Sequence, residues 1–230
     1  MKCIGIIGGT SWESTAHYYA ALNRGVKQRL GGLHSAKVLL WSVDFAEIEV
    51  LQQSGEWEHA GEIFADLAVK LEGAGAQCIL IAANTMHRVA EQVTSAVSIP
   101  LLHVGDATAS AVLVSGMRTV LLLGTRYTME QPFLKDRLSA RGLEVVVPNG
   151  DDIVTVNRII YEELCLGIVT ADSREELLHV IRRNKLRGIE GVILGCTELG
   201  MILAPQDADI PLFDTTSIHV QSALEFSLDD

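Results

Sequence analysis

The chain has 230 residues, 48% hydrophobic and 20% charged, and its 29 acidic against 18 basic side chains leave a formal net charge of −11. These are the proportions of an ordinary globular chain, long enough for one domain or two small ones. They exclude nucleic-acid binding through a broad basic face, because neither the net charge nor any cluster of Lys and Arg supplies the footprint. No apolar run reaches the roughly 18 residues that a membrane span requires. A small anionic substrate stays open, since a few backbone N–H groups hold one whatever the net charge.

In chain order, MKCIGIIGG at the start runs into the polar SWEST with no signal-peptide cleavage pattern, and reads as a buried strand. Further strands are predicted over 37–43, 77–82, 100–104, 118–123, 144–147, 190–194 and 211–213, with the first over 3–7. Runs such as ILIAA and TVLLLG are apolar throughout, as parallel strands covered on both faces are. Helical periodicity fills 14–30, 57–72, 87–96, 128–140, 152–164, 173–186 and 217–226. Gly31, Gly73, Gly142 and Gly188 stand where left-handed C-caps belong. The class is α/β with short crossovers. The four cysteines, Cys3, Cys78, Cys165 and Cys196, lie far apart and form no CxxC pair, which suits reduced thiols in a cytoplasmic protein.

An internal repeat organises the chain. A strand ends in Gly8-Gly9-Thr10-Ser11-Trp12 in the first half and in Gly124-Thr125-Arg126-Tyr127-Thr128 in the second. Each half then delivers a polar cluster from an apolar strand, CILIAANTMH and GVILGCTELG, and closes on IPLLHVGDATASA or IPLFDTTSIHVQSA. Pairing Gly9 with Gly124, Ala83 with Cys196 and Pro100 with Pro211 gives offsets of 115, 113 and 111. The expectation is two pseudo-symmetric Rossmann-like units, 1–103 plus 214–230 and 104–213, with mostly parallel sheets covered by helices. Ligands of such sheets bind beyond the carboxyl ends of the strands, which places a site in the cleft between the units.

Cys196 follows a buried strand at the start of a helical stretch, where unpaired N–H groups are expected to favour a thiolate and lower its pKa. Its repeat equivalent is Ala83. Opposed acid/base groups are what a racemase needs, one taking the α-proton from one face and the other returning a proton to the opposite face; alanine does neither. Asn84, Thr85 and Thr197 form a cradle for a carboxylate or else cap helices. Thr10, Ser11 and Thr125 line the two GT loops. Arg126, standing where Thr10 or Ser11 stands in the first loop, either clamps a carboxylate or makes a loop salt bridge. Supporting positions are Trp12, which walls the cleft or packs on its own helix, Thr128, Glu198, which orients a site group or sits in a first helical turn, and His87, a satisfied helix residue or the one other titratable group near the blank side. Cys3 and Cys78 read as inert core and Cys165 as packing. GxGxxG, GxxxxGK[ST] and HExxH are absent, no lysine falls at a strand end for pyridoxal chemistry, and neither His59 with Glu62 nor His17 with Glu13 gives a third metal ligand. No metal and no cofactor are implied.

The landmarks GGTSWEST (8–15), ANTMH (83–87), LGTRYTME (123–130), YEELCLG (161–167), GCTELG (195–200) and FDTTSIH (213–219) closely resemble the cofactor-independent aspartate/glutamate racemase family, near its broad enterobacterial-type subgroup, along almost the whole chain. The resemblance implies two Rossmann-like units around a cleft, a C-terminal segment returning to the first unit, a homodimer, an amino-acid substrate and independence of pyridoxal phosphate. It implies a thiol pair, of which the second falls on Cys196 and the first on Ala83, a position that is also threonine in that subgroup. It assigns the α-carboxylate to Asn84, Thr85 and Thr197. The arginine that some members carry after the second strand is absent from SVDFAEIE, with Arg126 as its substitute for a distal carboxylate. Three explanations of Ala83 stand side by side: deliberate replacement that traps substrate, natural divergence in which water or His87 supplies the missing proton, and a one-cysteine decarboxylase of malonate-type substrates. A non-catalytic amino-acid-binding protein on the same fold is the remaining reading.

Overall fold

The computed structural model describes residues 1–229. The chain divides into two compact units, one comprising Met1–His103 with the stretch from His219 onward, the other Val104–Ile218. The first unit carries β1 (Ile4–Gly8), α1 (Trp12–Leu30), β2 (Val38–Ser42), α2 (Phe45–Ser54), α3 (Trp57–Gly73), β3 (Cys78–Ile81), a 3-10 turn (Thr85–Val89) and α4 (Ala90–Ala96). The second carries α5 (Val104–Val114), β4 (Thr119–Leu123), α6 (Arg126–Glu130), α7 (Pro132–Ala140), β5 (Glu144–Val146), α8 (Gly150–Glu162), α9 (Ala171–Lys185), β6 (Gly191–Leu194), α10 (Leu199–Ile202) and β7 (Leu212–Asp214). The last helix, α11 (Thr215–Leu228), crosses from the second unit into the first.

Both sheets are parallel and share one strand order. The first is β2-β1-β3, extended by a single bridge from Ile79 of β3 to Leu101; the second is β5-β4-β6-β7. The two closing prolines do the same work, Pro100 O accepting from Ile79 N–H and Pro211 O from Val192 N–H, each at 2.9 Å. Two pseudo-symmetric α/β units are thus present. Side chains alternate across each sheet with period two. In the first unit Ile4, Ile6, Cys78, Leu80 and Ala82 face α1 and α11, while Ile7, Ile79, Ile81 and Ala83 face α3 and α4. In the second, Val120, Leu122 and Ile193 face α5 and α7, while Leu121, Leu123, Val192, Leu194 and Cys196 face α8 and α9. Each such fully buried Ile or Leu stabilises its unit by about 1.5–3 kcal/mol.

Several predicted elements change. The strand expected over 100–104 shrinks to the Leu101 bridge, because α5 already begins at Val104. The helix expected over 128–140 splits into α6 and α7: Pro132 has no N–H to continue a ladder and forces Gln131 into extended backbone (φ −83, ψ 154). The stretch over 87–96 opens as the 3-10 turn from Thr85 before becoming α4. Helix α2 is additional, capped by Asp44, which accepts from Ala46 N–H at 3.0 Å, and ended by left-handed Gly55. Gly73 is no C-cap: it lies inside α3, and the left-handed turn falls on Gly75 (φ 101).

Candidate active site

The strand register realigns the two GT loops. Ile7 pairs with Ile81 as Leu123 pairs with Leu194, so Gly8, not Gly9, corresponds to Gly124. The next equivalents are the helix caps. Ser11 Oγ accepts from Ser14 N–H at 3.2 Å, and Thr125 Oγ1 from Thr128 N–H at 3.3 Å. Ser11 therefore matches Thr125, and Arg126 matches Trp12, the first residue of α1, rather than Thr10 or Ser11. Gly9 and Thr10 are an insertion in the first loop. Gly9 adopts φ 97, and a Cβ there would overlap the backbone of Val43. Ser11 adopts φ 98, the one positive φ outside glycine among the described residues. Such backbone persists only where the surroundings over-determine it, and it concentrates at functional sites.

Around that loop, the first unit gathers Thr10, Ser11, Ala83, Asn84 and His87, all buried, with Thr85 half-buried. Thr10 Oγ1 is buried without a hydrogen-bond partner in the protein, an arrangement that costs about 1–3 kcal/mol unless something else supplies the bond. Asn84 occupies the cap position of the 3-10 turn but makes no side-chain cap bond, so capping does not explain it. Trp12, the first residue of α1, is 67% exposed.

In the second unit Cys196 and Thr197 follow β6. Gly195 N–H donates to Leu123 O at 2.6 Å, and a Cβ on Gly195 would press on that carbonyl and on Thr128, so glycine permits the close approach of the two strand ends. Thr128 is fully buried, with its Oγ1 3.2 Å from Thr125 Oγ1 and its methyl under Gly124 and Gly195; it is a post beneath the loop rather than a lining residue. Arg126 is exposed, its backbone N–H donates to Asn157 Oδ1 at 2.8 Å, and its guanidinium pairs with no described carboxylate, which removes the loop salt bridge as its explanation. Cys165 lies half-buried against the cluster that contains Cys196 and is near enough to raise the Cys196 thiol.

The electrostatics of Cys196 run opposite to the sequence expectation. The residue is buried on a turn, and the helix that follows, α10, has a single turn, too short to offer much dipole. Burial pushes the thiol pKa well above its ordinary value. Glu198 adds to this: Cys196 Sγ donates to its Oε2 at 2.9 Å, and the same oxygen accepts from Thr197 Oγ1–H at 2.7 Å. Cys196 rests as a thiol with a carboxyl group positioned to take its proton. Glu198, itself buried, orients both neighbours. Cys78 is inert core, its thiol pushed up to about 12 by burial, while Cys3 is only half-buried.

Beneath the first unit's turn lies a group that the sequence reading took in only at His87. His87 Nδ1–H donates to Ala83 O at 2.9 Å. Its ring centroid is 4.6 Å from that of His103 and 5.6 Å from that of His219. His219 Nε2–H donates to Leu102 O at 2.6 Å, which leaves Nδ1 to accept from Tyr18 O–H at 3.0 Å. Burial, and for His87 also the two neighbouring imidazoles, holds both rings neutral: His219 is pulled down to about 4 and His87 well below its usual value. His219 was visible only as the last residue of FDTTSIH. Tyr18, its partner, and His103, which stands against His87, carry no catalytic motif and join the group only through the fold. Among the described residues no three His, Cys, Asp or Glu side chains are placed to hold a metal ion, and no helix is long and apolar enough to cross a membrane.

The chain is similar over its full length to a Yersinia pestis protein described as a candidate Asp/Glu racemase, with 49% identity, complete coverage of both chains and a TM-score of 0.94. An aspartate racemase homologue from Pyrococcus horikoshii is 38% identical over 99% of each chain, with a TM-score of 0.88. The broad specificity amino-acid racemase RacX of Bacillus subtilis is 23% identical over 166 residues, 69% of this chain and 68% of that protein. The sequence profile of the Asp/Glu/Hydantoin racemases matches residues 7–223. With a cysteine held against a carboxyl group at the end of β6 and a repeat equivalent at the end of β3, the chain belongs to the Asp/Glu/Hydantoin racemase family and is an amino-acid racemase, an isomerase.

Proposed function

We propose that the chain moves the α-proton of an acidic amino acid, aspartate or glutamate, with Cys196 as the acid/base group on one face of Cα and position 83 as the face that alanine leaves blank. The observation that carries this reading is the Cys196 Sγ–H···Oε2 Glu198 contact of 2.9 Å at the carboxyl end of β6. The Cys196 proton passes to the Glu198 carboxylate, the thiolate takes the proton from Cα, and the electron pair enters an enediolate. Hydrogen-bond donors at Thr10, Asn84, Thr85 and Thr197 hold the α-carboxylate and the charge that develops on it. The orphan hydroxyl of Thr10 supports a role in binding. Ser11 and Thr125 act by shaping their loops, and the unpaired guanidinium of Arg126 is proposed to take the distal carboxylate. The proton then returns from Cys196 to the same face, which exchanges the hydrogen with solvent without inverting the centre. Inversion needs a donor on the opposite face, which alanine does not supply.

The test is proton NMR in D2O with L- and D-aspartate and L- and D-glutamate, following the Cα–H signal in the protein and in Ala83→Cys. The expected result is exchange of one enantiomer by the protein and racemisation of both by Ala83→Cys. Rapid racemisation of both enantiomers by the protein itself would overturn the one-base reading. No exchange in either protein would turn the assignment towards a malonate-type decarboxylase or an amino-acid-binding protein.

A further inference from the structure

The turn that carries position 83 is held through its carbonyl groups. Ala82 O accepts from Ser14 Oγ–H at 3.2 Å, Ala83 O from His87 Nδ1–H at 2.9 Å and Asn84 O from His87 N–H at 3.1 Å. His87 thus fixes two consecutive peptides, one by its ring and one by its backbone. A trans peptide sets its N–H opposite its carbonyl, so tying Ala83 O to the ring also fixes the direction of Asn84 N–H and the start of the Asn84 side chain. The ring has no freedom to turn. His87 is 3% exposed, His103 7%, Tyr18 1% and His219 0%, and the last is locked at both nitrogens by Leu102 O and Tyr18 O–H. Three imidazoles buried together are costly compared with apolar packing of the same volume, and each buried polar atom must find a partner. The group spans α1, the turn after β3, the Leu101 segment and α11, so four separate stretches meet around the one ring that holds the Ala83 carbonyl.

From this geometry we infer that His87 is a positioning residue: with His219, His103 and Tyr18 behind it, it holds the Ala83–Asn84 peptide in the orientation that presents Asn84 and Thr85 to the substrate α-carboxylate. This rests on the acidic-amino-acid reading above, and it concerns a residue that touches no reacting atom. The substitutions that separate it from simple packing are His87→Asn and His87→Gln. An asparagine amide places an N–H near the position of Nδ1, whereas a glutamine amide places it near Nε2, away from Ala83 O.

Affinity for L- and D-aspartate and L- and D-glutamate is measured by calorimetry, with the KM and kcat of α-proton exchange in D2O and the thermal midpoint beside it. Loss of one orienting hydrogen bond corresponds to about a tenfold effect. Expected are a Kd and KM raised about tenfold in His87→Gln, a kcat changed far less, and His87→Asn within about threefold of the wild type, with similar thermal midpoints for the two variants. Equal affinity of both variants, or a His87→Gln affinity equal to wild type, would overturn the positioning role alone. Absence of binding and exchange by the wild-type protein would overturn the acidic-amino-acid reading, and this role with it. If His87→Gln does not fold, His87→Ser, too short to reach Ala83 O, replaces it in the same comparison.

Discussion

Acidification from pH 7 to 4 destabilises the protein through His219, and the size of the effect follows from its burial. In the unfolded chain the imidazole takes a proton near 6.5; in the folded protein it is fully buried, donates Nε2–H to Leu102 O, and resists protonation until about pH 4. Between those values the unfolded state binds more protons, so stability rises with pH across this window. It is complete above about 6.5 and is lost as the pH falls towards 4. At ~1.36 kcal/mol per pH unit the loss is about 3 kcal/mol from His219 alone, and His87, also depressed, acts in the same direction. Glu72, Glu163, Glu190 and Asp209 are held below the usual carboxylate range, by hydrogen bonds to Ser98, Ser173, Arg118 and Lys185 respectively, so their contributions fade at lower pH. The assay is urea denaturation at pH 7, 6, 5 and 4 of the wild-type protein and of His219→Gln, whose amide still donates but does not titrate. Carboxylate effects are common to both proteins and cancel in the difference. The expected result is a variant less stable at pH 7 but flatter with pH, the gap closing by about 3 kcal/mol at pH 4. Parallel pH profiles would refute the neutral, fully buried assignment of His219.

Three further outcomes are expected. Ala83→Cys adds one sulfur atom at a buried slot that accepts a small apolar side chain, costs no more than about 1 kcal/mol by thermal unfolding, and converts one-enantiomer exchange into racemisation read by chiral chromatography; a stable variant without racemisation would refute the two-base geometry. Glu198→Gln removes the carboxyl group 2.9 Å from Cys196 Sγ, so the thiol pKa falls and alkylation of Cys196 by iodoacetamide at pH 8 accelerates about tenfold; an unchanged pH–rate curve would show that burial alone sets the thiol. Gly9→Ala forces a Cβ onto a residue at φ 97 and into the Val43 backbone, with an expected loss of about 3 kcal/mol in chemical denaturation, and a loss below about 1 kcal/mol would contradict the loop conformation.

The repeat, the α/β class and the parallel strands were legible because apolar runs and strand-end glycines are local signals. Register was less so. Matching Gly9 to Gly124 looked natural in the sequence, but the pairs Ile7–Ile81 and Leu123–Leu194 put Gly8 opposite Gly124 and reveal Gly9-Thr10 as an insertion. The break between α6 and α7 was written in Pro132, whose effect on Gln131 outweighs the helical period on either side. The sign of the Cys196 shift was not legible. A helix start looks the same in sequence whether the helix runs for one turn or four, and burial comes from Ile202, Leu199 and their neighbours packing around the thiol. The imidazole cluster was invisible for a related reason: Tyr18, His87, His103 and His219 are far apart along the chain and meet only when α11 packs on the first sheet.

Ala83 and Cys196 occupy one slot in two copies of the unit. The core alternation that places Ile79, Ile81 and Ala83 on one face places Val192, Leu194 and Cys196 on the corresponding face, each slot two residues beyond the last inward strand residue. Both slots are nearly closed, with Ala83 9% and Cys196 7% exposed, and both demand a small side chain. Alanine and a protonated cysteine meet that demand almost equally, since a buried thiol behaves as a small hydrophobe. The fold therefore exerts little pressure between them at position 83, and chemistry alone distinguishes them. In the second unit the added element is Glu198, which costs the burial of a carboxyl group and is offset by two hydrogen bonds, from Sγ and from Thr197 Oγ1. The first unit supports its slot instead from behind, through the Ala83 carbonyl and neutral His87. In the proposed reading Cys196 with Glu198 moves a proton, while His87 holds a backbone still. Cysteine at 83 is then expected to alter stereochemical outcome with little effect on stability, whereas substitution at Glu198 acts on the thiol and substitution at His87 on the orientation of the Ala83–Asn84 peptide.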